Sequence, residues 1–104
     1  MIVVTSDTIP GHEIDDTLGL VRGNTVRAAH AGRDISAWFK NLVGGELLEY
    51  TKLLAESREQ SIDRMIREAR AKGADAIISV RFATSEITSG AAEFLAYGTA
   101  VKLR

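Results

Sequence analysis

One imidazole and three carboxylates fall together at His12, Glu13, Asp15 and Asp16. Nitrogen and oxygen donors of this kind suit a borderline or hard divalent ion. A soft metal would instead favour thiolate and thioether sulfur. The chain has no cysteine, and its two methionines are Met1 and Met65, the latter at core-type helical spacing. Any metal site is therefore of the harder kind, and a ring of subunits would strengthen it by bringing one carboxylate from each copy onto an axis. The simpler reading is a solvated acidic connection, because the spacing matches no established ligand motif.

His30 stands just ahead of Gly32-Arg33-Asp34. Read as chemistry, it is a general base or ligand oriented by Asp34, which would make an enzyme site at a subunit boundary. Read as structure, it is a strand-end histidine bonded to main chain, and this is the simpler account. No nucleophile accompanies it: Ser36, Ser57 and Ser61 fall on predicted helices outside any G-x-S-x-G context, and thiolate catalysis needs a cysteine. Arg33 and Arg81 carry planar, bidentate donors that can converge on a small anionic ligand at a subunit boundary. They can equally pair there with Asp34, Asp75 or Glu86. Gly44-Gly45 ahead of a helix would aim N–H groups at an anion. Glu46 already supplies negative charge at that start and the P-loop pattern is missing, so a hinge is the better reading. Trp38 and Phe39 sit at helical spacing, as core or interface anchors.

The stretch from Gly44 to Phe82 must position these candidates. Leu47, Tyr50, Leu54, Arg58, Ser61, Met65 and Ala69 recur every three or four residues, with Leu48, Ile62 and Ile66 beside them. That spacing predicts one long amphipathic helix. The stripe thins at Arg58 and Ser61, which predicts a middle turn less deeply buried than the ends. Asp63 with Arg67 and Glu68 with Lys72 are spaced for exposed ion pairs. Gly73 has the character of a C′ residue. From Glu46 to Lys72 the helix would span roughly 40 Å, too long for one short chain to cover. A shorter helix is predicted from Asp34, its N-cap, through Ile35, Trp38, Phe39, Leu42 and Val43.

The rest reads as strands. Ile2–Thr5 ends at the turn Ile9-Pro10-Gly11, and His12 to Asp16 is a connection. Leu18 to Ala29 follows, with Leu18, Leu20, Val26 and Ala28 on one face and Gly19, Val21, Gly23 and Thr25 on the other. Gly23-Asn24 is a possible turn or bulge within it. Ala76–Ala83 alternates Ile78, Val80 and Phe82 against Ile77, Ser79 and Arg81. Thr84–Gly90 is a polar hairpin connection, and Phe94–Leu103 is the last strand. Its two rows are Leu95, Tyr97, Thr99, Val101, Leu103 and Phe94, Ala96, Gly98, Ala100.

With 104 residues, 45% of them apolar and 26% charged, the chain is expected to form a single domain over 1–104. A net charge of −1 leaves no electrostatic footprint for nucleic acid. No apolar run reaches membrane-spanning length, and nothing resembles a signal peptide, so a cytoplasmic location is the default. The element order predicts an α+β fold: a largely antiparallel sheet of about four strands with one short and one long helix on one face. Both faces of that sheet are apolar, although an antiparallel sheet normally turns one to water. A homo-oligomer is therefore expected.

Several fragments in order resemble the YbjQ-like family, small bacterial proteins carrying a heavy-metal-binding label. They are Arg33-Asp34, Leu42-Val43-Gly44-Gly45, Tyr50, Arg58, Gly73-Ala74-Asp75-Ala76 and Gly98-Thr99-Ala100-Val101-Lys102-Leu103. The resemblance implies a dodecin-like α+β subunit that closes into a ring, a pentamer. It implies no established activity; together with the two apolar sheet faces and the overlong helix it points to a non-catalytic binding or assembly role with no cofactor. The chain departs from the family pattern at Glu46, where arginine is common, and after Phe82, where Asp-Tyr-Glu is common.

Overall fold

The computed structural model describes residues 1–28, 48–88 and 91–104. Its elements are β1 (Ile2–Val3), β2 (Ile14–Ala28), α1 (Leu48–Ala71), β3 (Ala76–Thr88) and β4 (Ala91–Leu103). The strands form one sheet in the order β1-β3-β4-β2. β4 runs antiparallel to both neighbours, whereas β1 lies parallel to β3. The expected α+β architecture is thus present: the four-stranded sheet is largely antiparallel, and only the two-residue β1, parallel to β3, makes it mixed. The shorter helix expected between Asp34 and Val43 lies outside the described residues.

Local chemistry accounts for the punctuation. Pro10 and Gly11, the latter at φ +82°, form a turn closed by the His12 N–H on the Ile9 carbonyl at 3.1 Å. Pro then Gly at the two central positions is the signature of a type II turn. α1 ends at Gly73, φ +79°. The Ala74 N–H donates to Ala69 at 3.0 Å and the Gly73 N–H to Arg70 at 2.9 Å, the paired bonds of a Schellman cap.

The strands run longer than their apolar runs. β2 begins at Ile14, so Asp15 and Asp16 belong to a strand and not to a connection. Irregularities fall at Ile14/Asp16 and Thr17/Gly19, while Gly23 and Asn24 pair without interruption with Ala96 and Leu95. β3 continues to Thr88: Thr84, Ser85 and Glu86 pair with Phe94, Glu93 and Ala92. These polar residues sit on a water-facing strand, not in a turn. A bulge between Ile78 and Arg81 breaks the simple alternation expected for β3. It carries Ser79 at φ 54° and puts Ile77 and Val80 into one core cluster. The segment after β1 holds the bulge, since the Ser79 N–H donates to Ser6 at 2.9 Å and its hydroxyl to Asp7 Oδ1 at 2.5 Å.

The core lies between α1 and the sheet and includes Val21, Met65, Ala69, Ile77, Val80, Ala96 and Ala100. The middle of α1 is as buried as its C-terminal half, contrary to the thinning stripe: Ser57 is 0% and Ser61 1% exposed. The stripe passes through Ser57 and leaves Arg58 in water. The reason is closeness. A Cβ at Gly23 would fall on the Ser61 carbonyl oxygen and the Met65 nitrogen, so the helix backbone rests directly on β2. Only small side chains fit there. Among the described residues neither expected helix ion pair forms; the i,i+4 pair is Lys52–Glu56 at 4.0 Å, an exposed contact of little energetic weight.

A second, smaller cluster closes the opposite face at one end of the sheet. Ala76, Ile78 and Val101 are buried there beneath Ile2, Val4, Ile9 and Leu103.

Candidate functional site

The acidic tetrad does not converge. Arg104 donates to Glu13 Oε2 at 3.0 Å and to Asp15 Oδ1 at 3.2 Å, and its N–H bonds the Glu13 carbonyl. One guanidinium therefore holds two of the three carboxylates. Asp16 lies on β2 opposite Lys102, and His12 is exposed beside the turn. Among the described residues, no group of three histidine, cysteine or acidic side chains is placed to hold a metal ion.

Arg81 is exposed, and its Nη1 donates to the carbonyls of Thr5 and Val80 at 2.8 and 2.9 Å. It braces the segment after β1 against β3. His30, Arg33 and Asp34 lie outside the described residues, as do the Gly44-Gly45 hinge, Trp38 and Phe39. Asp75 is engaged within its own chain. The Leu103 N–H donates to Oδ2 at 2.9 Å and Lys102 Nζ to Oδ1 at 3.3 Å. The main-chain donor above all holds the carboxyl below its ordinary value; partial desolvation opposes it and Lys102 assists.

Serine placement follows from packing. The Ser61 hydroxyl lies 3.0 Å from Thr25 Oγ1 and from the carbonyls of Ser57 and Phe94, and the Ser57 hydroxyl donates to Leu53 at 2.8 Å. These buried hydroxyls satisfy one another and the main chain, as buried polar groups must. None is poised as a nucleophile.

Among the described residues, the chain presents apolar surface on strands with an edge that no further strand pairs. Leu20 is 57% exposed, Val26 54%, Phe82 51% and Ile87 55%. Leu20 and Val26 belong to β2, which ends the sheet; Phe82 and Ile87 belong to β3 beyond the short β1. The sequence signal for the first pair was the alternation that set Leu20 and Val26 against Val21, Gly23 and Thr25. It marked the two faces without saying which one α1 covers. Phe82 gave no such signal, because its exposure comes from where the helix lies. α1 sits over β2 and β4 and scarcely touches β3.

A mixed four-stranded sheet carrying one long helix places the chain in an α+β class, and the comparisons with known proteins agree. A protein of unknown function of the DUF74 family from Pediococcus pentosaceus superposes with a TM-score of 0.70, covering 100% of this chain and 98% of that one at 13% identity, a likeness of fold. A family model described as "Putative heavy-metal-binding" matches residues 1–104. UPF0145 proteins of Archaeoglobus fulgidus and Fervidobacterium nodosum are 55% and 58% identical over 104 residues, each alignment covering 100% of this chain and 96% of the relative. That of Halorubrum lacusprofundi is 57% identical with both chains covered completely, 100% and 100%. The chain belongs to the YbjQ family, whose relatives include archaeal proteins as well as bacterial ones. Among the described residues no helix is long and apolar enough to cross a membrane.

Proposed function

We propose that this chain is a non-catalytic, self-associating domain whose role is carried by its oligomeric surface, copies closing into a ring such as a pentamer. The observation that carries this reading is the placement of Leu20, Val26, Phe82 and Ile87, each more than half exposed, on the two open-edged strands. Covering half of such a side chain contributes on the order of 1 kcal/mol. Four of them per contact would scarcely offset the freedom lost on association. A closed ring gives every copy two such contacts, which is why closure favours the assembly over an open pair.

Native mass spectrometry with light scattering at micromolar concentration tests this. One discrete stoichiometry above the monomer is expected; a stable monomer overturns the reading. The same spectrum would reveal any co-purified ion or small molecule held by the assembled surface.

A further inference from the structure

We infer that the segment from Met1 to Gly11 is a latched strap, which opens from β3 as one unit about Pro10-Gly11 while α1, β2, β3 and β4 stay folded. The inference concerns a single copy and stands apart from the self-association proposed above. Three observations carry it.

The first is how shallowly the strap is seated. None of its residues is buried, whereas Ala76, Ile77 and Val101 beneath it are 0% exposed. Ile2, Val4 and Ile9 lie over Ala76, Ile78 and Val101, and Val3 rests against the main core. Strand pairing with β3 extends over two residues only. A segment held by few buried contacts and by exposed hydrogen bonds opens at lower free energy than the core.

The second is where its fastenings lie. Three successive strap carbonyls accept from three successive residues of β3. Val4 takes the Val80 N–H at 3.1 Å, Thr5 takes Arg81 Nη1 at 2.8 Å and Ser6 takes the Ser79 N–H at 2.9 Å. Asp7 Oδ1 takes the Ser79 hydroxyl at 2.5 Å. The strap gives back one bond beside these, from the Val4 N–H to Ile77 at 2.9 Å. The remaining bonds are internal, Ser6 Oγ to the Thr8 carbonyl at 2.7 Å and the His12 N–H to Ile9 at 3.1 Å. These survive opening and keep the strap in one piece. Attachment is thus concentrated at the bulge, and the strap's own shape is set within itself.

The third is strain. Ser79 stands at φ 54°, a left-handed backbone that is costly for a residue with a side chain. The closed strap holds Ser79 there. Opening lets this residue relax, so the latch carries a term that favours its own release. What opening uncovers is the apolar pair Ile78 and Val101, together with the N–H groups of Ser79 and Val80.

Hydrogen exchange of the whole chain, read amide by amide, tests this with Asp7→Ala. The substitution is exposed and removes the carboxylate that takes the Ser79 hydroxyl. The amides of Val4, Ser79 and Val80 should then exchange faster by one common factor of about ten, the effect of one hydrogen bond to a charged acceptor. The β4 amides from Leu95 to Ala100 should keep their rates, and so should that of His12, whose bond lies inside the strap. Acceleration confined to Ser79 would overturn the inference, because the strap would then loosen residue by residue. Acceleration shared equally by β4 would overturn it as well, since the strap would then open only with the whole fold. No change at any amide would show that Asp7 fastens nothing, and the latch would fall.

Discussion

On the face of the sheet turned to α1, the central positions are Gly23, Ala96, Gly98 and Ala100, all buried. On the opposite face the same two strands carry Leu20, Val26 and Tyr97, all exposed. At these central positions the larger apolar side chains are on the open side, although Val21 and Phe94 stand in the helix-facing rows on either side of them. Small residues let the helix backbone reach the sheet, and this closeness, more than side-chain bulk, makes the core dry. The open face is itself divided. Near β1 it is closed by Ile2, Val4, Ile9 and Leu103, while toward Val26 no described residue of the chain covers it comparably. Apolar size therefore does not reveal which face a chain buries for itself.

The strongest way to break this comparison is Gly23→Ala. Its methyl group would meet the Ser61 carbonyl oxygen and the Met65 nitrogen, atoms of a helix backbone that cannot swing aside. Overpacking of this sort costs about 3 kcal/mol or more. Urea unfolding measures it, and a loss under about 1 kcal/mol would mean that α1 is not seated on β2. Next comes Ser61→Ala, which removes a buried hydroxyl shared with Thr25, Ser57 and Phe94. Leaving the Thr25 hydroxyl without its partner costs about 1–3 kcal/mol. Restoration of stability by adding Thr25→Val would identify the hydroxyl pairing, rather than lost volume, as the cause.

Much of this architecture was legible in the residues. The long helix, its stop at Gly73, the Pro10-Gly11 turn and the two rows of the last strand all follow from local chemistry, which acts within a few residues. Strand ends were harder. Asp15, Asp16 and Thr84 to Glu86 read as connections because polar residues on a solvated strand resemble a loop. Gly23 read as a strand residue with a turn or bulge as the alternative, and neither reading shows that its lack of a side chain serves a helix some forty positions away in sequence. The bulge at Ser79 depends on the segment after β1, which no periodicity within β3 encodes. Within one chain the acidic tetrad does not gather, for a similar reason: Arg104, distant in sequence, takes Glu13 and Asp15. What was legible of a site was therefore its surface, and Leu20 and Val26 were already set apart from the row that α1 covers.

A variant of that surface sharpens the comparison from its open side. Leu20→Ser with Val26→Ser should leave the stability of an isolated copy within about 0.5 kcal/mol, since both residues already face water. Association should weaken at least tenfold, about 1.4 kcal/mol, seen as dissociation on dilution by light scattering. An oligomer as resistant to dilution as the parent would place the contact elsewhere.

The smallest effect belongs to Asp75→Asn, at the closed end. The Leu103 N–H holds this carboxyl below its ordinary value of 3.8, so the folded state favours the ionised form. Its contribution is then fully present above that ordinary value and is lost as pH falls through the lower folded one. Asparagine retains the shape and one acceptor but cannot titrate. The parent should therefore be slightly the more stable at neutral pH, and the gap should close as the solution is acidified. Urea midpoints across an acid series measure this. A gap that persists unchanged in strong acid would show that Asp75 acts through its shape and not its charge. The effect is modest because the Lys102 and Asp75 side chains remain 46% and 40% exposed, where water and salt screen the pair. A closed end fastened by main-chain bonds has little to lose from one surface charge, whereas the open end depends on what covers it.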